Sequence, residues 1–79
     1  MRDRGIYKLP DGNDYIAMSV GSGEYALYLR ENVLGLPPRY ILKADGRIVP
    51  VFGQEYEVWA VGQMKDTGDT HNFVRTGPA

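Results

Sequence analysis

Apolar and polar residues alternate with a period of two through much of the chain. In residues 14–20, Ile16, Met18 and Val20 share one parity, and Tyr15, Ala17 and Ser19 share the other. Successive side chains of a strand point to opposite faces, so this run predicts a half-buried β-strand. Residues 5–9 repeat the pattern, with Tyr7 and Leu9 on one face. Residues 57–61 do so again, with Trp59 at the centre and Val58 and Ala60 facing away from it. A last short strand is expected over residues 71–75.

The clearest local signal lies in residues 38–53, where apolar residues flank Ala44-Asp45-Gly46-Arg47 on both sides. Asp-Gly between two apolar runs predicts a β-hairpin. Two registers are compatible with it. A two-residue turn at Asp45-Gly46 sets Leu42 opposite Val49 and Tyr40 opposite Val51. A type I turn at Ala44-Asp45 with Gly46 left-handed sets Leu42 opposite Ile48 and Tyr40 opposite Pro50. The second is preferred, because Lys43 and Arg47 then share the solvent face beside the tip. Pro50 has no N–H for a ladder, so its strand is expected to be an edge there, or bulged.

Turn chemistry separates these runs. Pro10-Asp11-Gly12-Asn13, Gly21-Ser22-Gly23 and Asp66-Thr67-Gly68-Asp69 combine residues that preset φ or tolerate positive φ. Residues 53–56 read as a tight connection and residues 62–65 as an irregular or 3₁₀ turn. Residues 24–36 fit two patterns. As a strand, Tyr25, Leu27 and Leu29 line one face. As a helix, Tyr25, Tyr28, Leu29, Asn32 and Val33 form a stripe, with Ser22 as N-cap and Gly35 and Pro37 at the end. The strand is preferred to Leu29, followed by a helical turn or loop. The fold class expected is all-β: a small antiparallel meander of five to six strands curled into an SH3-like barrel. The alternative is a curved sheet with one short helix near 24–34. Curling hides the edges that an open sheet exposes.

At 79 residues the chain is one domain, with frayed ends expected at the charged residues 1–4 and at the tail 76–79. It has no cysteine, so neither disulfides nor thiolate metal sites can hold it. The core must come from six tyrosines, Trp59, Phe52, Phe73 and the aliphatic residues. Nine Lys and Arg against ten Asp and Glu leave a net charge of −1. That lacks the basic face needed for non-specific phosphate or acidic-membrane binding. The opening residues contain no apolar signal-peptide core, and no run approaches the ~20 apolar residues of a membrane span. A cytoplasmic location is the expectation.

The ordered set LPDG (9–12), GEYALY (23–28), ADGRI (44–48), VWAV (58–61) and KDTG (65–68) resembles a group of short bacterial all-β proteins of no known function. The resemblance spans residues 5–70. It implies a stand-alone small protein and brings no catalytic residue and no ligand.

Asp66-Thr67-Gly68 matches the aspartic-protease tripeptide. In retroviral-type enzymes two such aspartates, one per subunit, share a proton and activate water. Here Lys65 replaces the apolar lead-in, Asp69 replaces a small residue, and little chain follows to build flaps. A turn is the simpler reading. His71 is the only histidine and has no Cys or second His for a metal site, so a surface position is expected. Gly21-Ser22-Gly23 lacks the Lys-Ser/Thr ending of a phosphate loop. Asp11, Asn13 and Asp14 lack the distal Glu of a calcium loop. No catalytic residue, cofactor or metal is therefore expected.

The aromatic residues remain. Small barrels bind peptides or bases through exposed aromatics, yet aromatics are also the core of a short chain. Tyr15, Tyr28, Tyr56 and Arg39 are taken as a possible binding surface, and Trp59 as core. Pro37-Pro38-Arg39 is an extended segment that straightens the approach to the strand at Tyr40 or is itself recognised. The functional expectation is a non-enzymatic module that binds an unknown protein partner or itself. Single-stranded nucleic-acid binding is the alternative, weakened by the charge balance. A dimeric aspartic protease is the remote one.

Overall fold

The computed structural model describes residues 1–32, 37–52 and 58–71. They form seven antiparallel strands: β1 (Gly5–Lys8), β2 (Asp14–Gly21), β3 (Glu24–Leu29), β4 (Tyr40–Leu42), β5 (Arg47–Pro50), β6 (Trp59–Ala60) and β7 (Lys65–Thr70). Short 3₁₀ turns cover Arg30–Asn32 and Val61–Gln63. Residues 24–29 are thus a strand and not a helix. The parity of Tyr25, Leu27 and Leu29 prevails over the helical stripe, part of which lies outside the described residues.

The strand order is β6-β5-β4-β3-β2-β1-β7. β6 and β7 stand at opposite ends of that order, yet only residues 61–64 separate them in the chain. Five residue steps reach at most about 18 Å. A flat sheet with six inter-strand gaps would set them about 29 Å apart. The sheet must therefore curl, and it forms a half-barrel.

The concave face holds the core: Tyr7, Leu9, Tyr15, Ala17, Leu27, Leu42 and Ile48, with Tyr25, Leu29, Tyr40, Trp59 and Met64 packed against it. Cross-strand register joins them, as in Tyr7↔Tyr15↔Leu29 and Ala17↔Leu27↔Tyr40. Burial is not confined to that face. Ile6, Ile16, Ala26 and Val49, of the other parity, are also buried, so residues 15–17 are covered on both sides.

The central hairpin adopts the preferred register, with Leu42 opposite Ile48 and Tyr40 opposite Pro50. The Gly46 N–H donates to the Lys43 carbonyl at 2.9 Å, and the Arg47 N–H donates to Asp45 Oδ1 at 3.1 Å. Gly46 has φ +93°, and a Cβ there would lie 3.2 Å from Val61 Cγ1. Only glycine meets both demands without strain. β6 pairs with Arg47 and Ile48 alone, so at Pro50 β5 has no outer neighbour among the described residues.

Two expectations are corrected. Trp59 begins a two-residue strand and does not centre a longer one; residue 57 lies outside the described residues. Asp66-Thr67-Gly68-Asp69 is not a turn between strands. It lies inside β7 and pairs with β1. Its turn chemistry goes into a bulge: between the pairs Tyr7↔Asp66 and Gly5↔Thr70, β7 has two residues more than β1. Gly68 takes φ +86° there, and its N–H donates to Asp66 Oδ1 at 2.8 Å. This strand raises the count above the five or six expected. The strand expected over 71–75 falls outside the described residues except for His71, which is half-buried and whose N–H donates to the Arg4 carbonyl. The tail at 76–79 also lies outside them.

Candidate functional site

At one end of the half-barrel a buried tyrosine fixes an exposed arginine. Tyr15 is fully buried in β2, and its hydroxyl lies between two charged groups. It donates to Asp11 Oδ2 at 2.7 Å and accepts from Arg39 Nη1 at 3.2 Å. Asp11 is held by its own turn, where it accepts the Asn13 N–H at 2.9 Å. The Arg39 backbone links two strands: its N–H donates to the Leu27 carbonyl, and its carbonyl accepts from the Val51 N–H.

Burial pushes the Tyr15 hydroxyl up to about 12; the Arg39 hydrogen bond opposes the rise and the Asp11 carboxylate adds to it. The proton therefore stays on Tyr15 and serves Asp11. The Tyr15 hydrogen bond raises the Arg39 guanidinium above its ordinary value, so it remains charged.

Aromatic rings continue the line from Tyr15. Tyr40 meets it edge-on, with centroids 5.7 Å apart at 67°. Trp59 lies 5.2 Å beyond Tyr40 at 59°. Burial falls along this row: Tyr15 is enclosed, whereas Tyr40 and Trp59 are half-buried. Tyr40 is placed by its register between Leu27 and Pro50, and Trp59 by pairing with Ile48. Phe52, just beyond the Arg39–Val51 rung, is 68% exposed.

Of the residues proposed from sequence as a binding surface, Tyr15 and Arg39 come together. Tyr15 is a core residue, because its parity on β2 matches Ala17 and the concave face. Its ring offers no surface; only its hydroxyl reaches Arg39. Tyr28 is half-buried opposite Ile16, on the other face of the sheet. Tyr56 lies outside the described residues. Trp59, expected in the core, packs against it and is half-buried. Sequence reasoning missed Tyr40 as the partner of Trp59. The signal is the shared parity of Tyr15 and Tyr40, which shows only once the β3–β4 register is known.

The Asp66 carboxylate faces a guanidinium. Arg2 grips both of its oxygens, with Nε 3.1 Å from Oδ2, and also binds Thr70 Oγ1 and the Asp69 carbonyl. That contact, followed by the Gly68 N–H, holds the Asp66 carboxyl below the usual carboxylate range. The segment read as frayed is tied elsewhere too: the Arg4 N–H donates to the Ala17 carbonyl, and Asp3 accepts the Ser19 N–H.

Among the described residues no three His, Cys, Asp or Glu gather as a metal site, and no helix is long and apolar enough to cross a membrane. A cleft of about 230 Å³ lies between Lys8, Leu9, Pro10, Gly12, Gln63 and Lys65. It falls below the ~300–1,000 Å³ of ordinary small-molecule sites. No protein family, curated protein or solved structure matches this chain.

Proposed function

We propose that this chain is a non-enzymatic protein-binding module whose contact surface is the aromatic row at Tyr40 and Trp59. The observation that carries the reading is their half-burial in a packed pair, with Phe52 exposed two residues beyond Pro50, the cross-strand partner of Tyr40. Half-buried aromatic side chains held in place by packing are among the residues that anchor protein contacts. Acid catalysis at Asp66 is disfavoured, because a carboxylate paired with a guanidinium has no shared proton to offer. Nucleic-acid binding is disfavoured by the pairing of Arg2, Lys8, Arg30, Lys43 and Arg47 with carboxylates.

Trp59 is the only tryptophan, so its fluorescence reports on the surface directly. Panning a displayed random-peptide library against the protein should return binders. The matching synthetic peptides should shift that emission and lose affinity on Tyr40→Ala. Selection of nothing, or of peptides insensitive to Tyr40, would remove the reading. Light scattering after size-exclusion chromatography tests self-association. A monomer across a broad concentration range excludes that version.

A further inference from the structure

We infer that the partner is an acidic peptide segment, in which an Asp or Glu carboxylate sits on Arg39 and an adjacent proline or apolar side chain sits on Tyr40 and Trp59. This rests on the protein-binding reading above and adds the chemistry of the occupant.

The guanidinium carries five N–H donors in a planar fork. In Arg39 one bond is made, to the neutral Tyr15 hydroxyl. Arg39 is exposed and forms no ion pair with a described residue. Arg2, Arg30 and Arg47 each have a carboxylate within pairing distance. Arg39 is thus positioned without a direct carboxylate partner among the described residues, and the Asp11 carboxylate acts on it only across the shared Tyr15 hydroxyl. Its anchor is rigid, because the Tyr15 ring is enclosed in the core. Holding the fork in advance lowers the ordering cost of binding. A carboxylate fits such a fork through two parallel bonds.

The aromatic row begins at the same anchor, since Tyr15 contacts Tyr40 and Tyr40 contacts Trp59. One extended peptide can therefore meet the charge and the rings together. Asp11 shares the Tyr15 hydroxyl and places a negative charge nearby. It repels a doubly charged phosphate more than a singly charged carboxylate, which favours Asp or Glu over a phosphorylated residue.

The test pans a random-peptide library, fused through its C-termini to a phage coat protein, so that side-chain carboxylates are the only acids sampled. Wild-type selections should be enriched in Asp or Glu beside proline or an apolar residue. Synthetic copies should shift Trp59 emission and weaken by about tenfold or more on Arg39→Gln, the loss expected for a charged bidentate contact. Arg39→Lys should recover part of the affinity, as a point charge without the fork. Binders without acidic enrichment that still shift Trp59 would overturn the acidic partner and leave the module standing. Acidic binders indifferent to both Arg39 variants would overturn the role of Arg39. Selection of no binder would overturn both readings.

Discussion

Arg2 and Asp66 stand 64 positions apart in the chain, and the Arg2 guanidinium spans both Asp66 oxygens. The pair sits over the bulge in β7, where Arg2 also reaches Thr70 Oγ1 and lies 5.8 Å from the centroid of Tyr7. The first residues of the chain thereby fasten the edge strand to the strand it pairs with. Both side chains are well exposed, so the gain is geometric more than energetic.

Asp66→Asn should lower the melting temperature slightly and change its pH dependence. The Asp66 carboxyl is held below its ordinary value of 3.8, first by Arg2 and then by the Gly68 N–H. A depressed folded-state value stabilises above the unfolded-state value, and that stability is lost as pH falls through the folded one. Melting curves between pH 7 and pH 2 should show wild type losing more stability below pH ~4 than Asp66→Asn does. Parallel slopes would mean that Arg2 does not hold Asp66 in solution. Neither protein should cleave an unstructured polypeptide at acidic pH; cleavage lost in Asp66→Asn would assign Asp66 to catalysis.

Tyr15→Phe keeps the ring and removes the hydroxyl shared by Asp11 and Arg39. Loss of a part-buried hydrogen bond to charged partners should cost about 1.5–3 kcal/mol by urea denaturation. Ultraviolet titration offers a second readout. Wild type should show a tyrosinate step near 12 that the variant lacks. Because this value is raised, the contribution of Tyr15 is complete below pH ~10 and declines as pH rises toward the folded value.

The strands with an apolar parity were legible in the sequence, and so was the hairpin; Asp45-Gly46 admitted two registers, and the structure adopts the preferred one, with Leu42 opposite Ile48. β7 was not legible. Lys65–Thr70 contains no apolar residue and is exposed throughout. It is a strand because β1 supplies its backbone partners and Thr67 Oγ1 donates to the Ile6 carbonyl at 2.7 Å. A polar, bulged edge also resists pairing with other chains. The candidate site was half legible. Arg39 and the tyrosines stand out by type, but alternation alone cannot say whether the Tyr15 or the Tyr28 parity faces inward. Register with Leu27 and Tyr40 decides it.

Trp59→Ala tests the aromatic row. A fully buried large aromatic costs about 3–5 kcal/mol on truncation to alanine, and a half-buried one about half as much. The expected loss is therefore about 2 kcal/mol, and Trp59→Phe should recover much of it by keeping a ring against Tyr40. An unchanged denaturation midpoint would place the indole on the surface, outside the packed row.

Gly46→Ala meets two penalties at the hairpin tip. The left-handed conformation costs an L-residue about 1–2 kcal/mol. The new methyl would also press on Val61, whose N–H donates to the Gly46 carbonyl at 2.8 Å. The hairpin and the 3₁₀ turn that joins the sheet's two ends should loosen together. Hydrogen exchange at Lys43, Gly46 and Val61 should accelerate in the variant. Faster exchange at Gly46 alone would show that the tip and the turn are independent.

The distribution of cations limits what the surface can do with nucleic acid. Arg2 is occupied by Asp66, Lys8 and Arg30 share Asp14, Lys43 lies near Glu24, and Arg47 holds Asp45. A phosphate would have to displace a carboxylate from each of these before releasing a counterion, and the net charge of −1 adds no general attraction. Stacking on Tyr40 and Trp59 can contribute about 1–3 kcal/mol per base, but the two rings form one short row. Binding of oligo-dT or oligo-U at physiological salt should therefore be no tighter than roughly tens of micromolar, within the non-specific range. Fluorescence anisotropy with labelled oligonucleotides measures this directly. Sub-micromolar binding that falls steeply with added salt would show that Arg39 and its neighbours neutralise phosphates. The aromatic row would then be a base-stacking platform, and the peptide-binding reading would fall with that result.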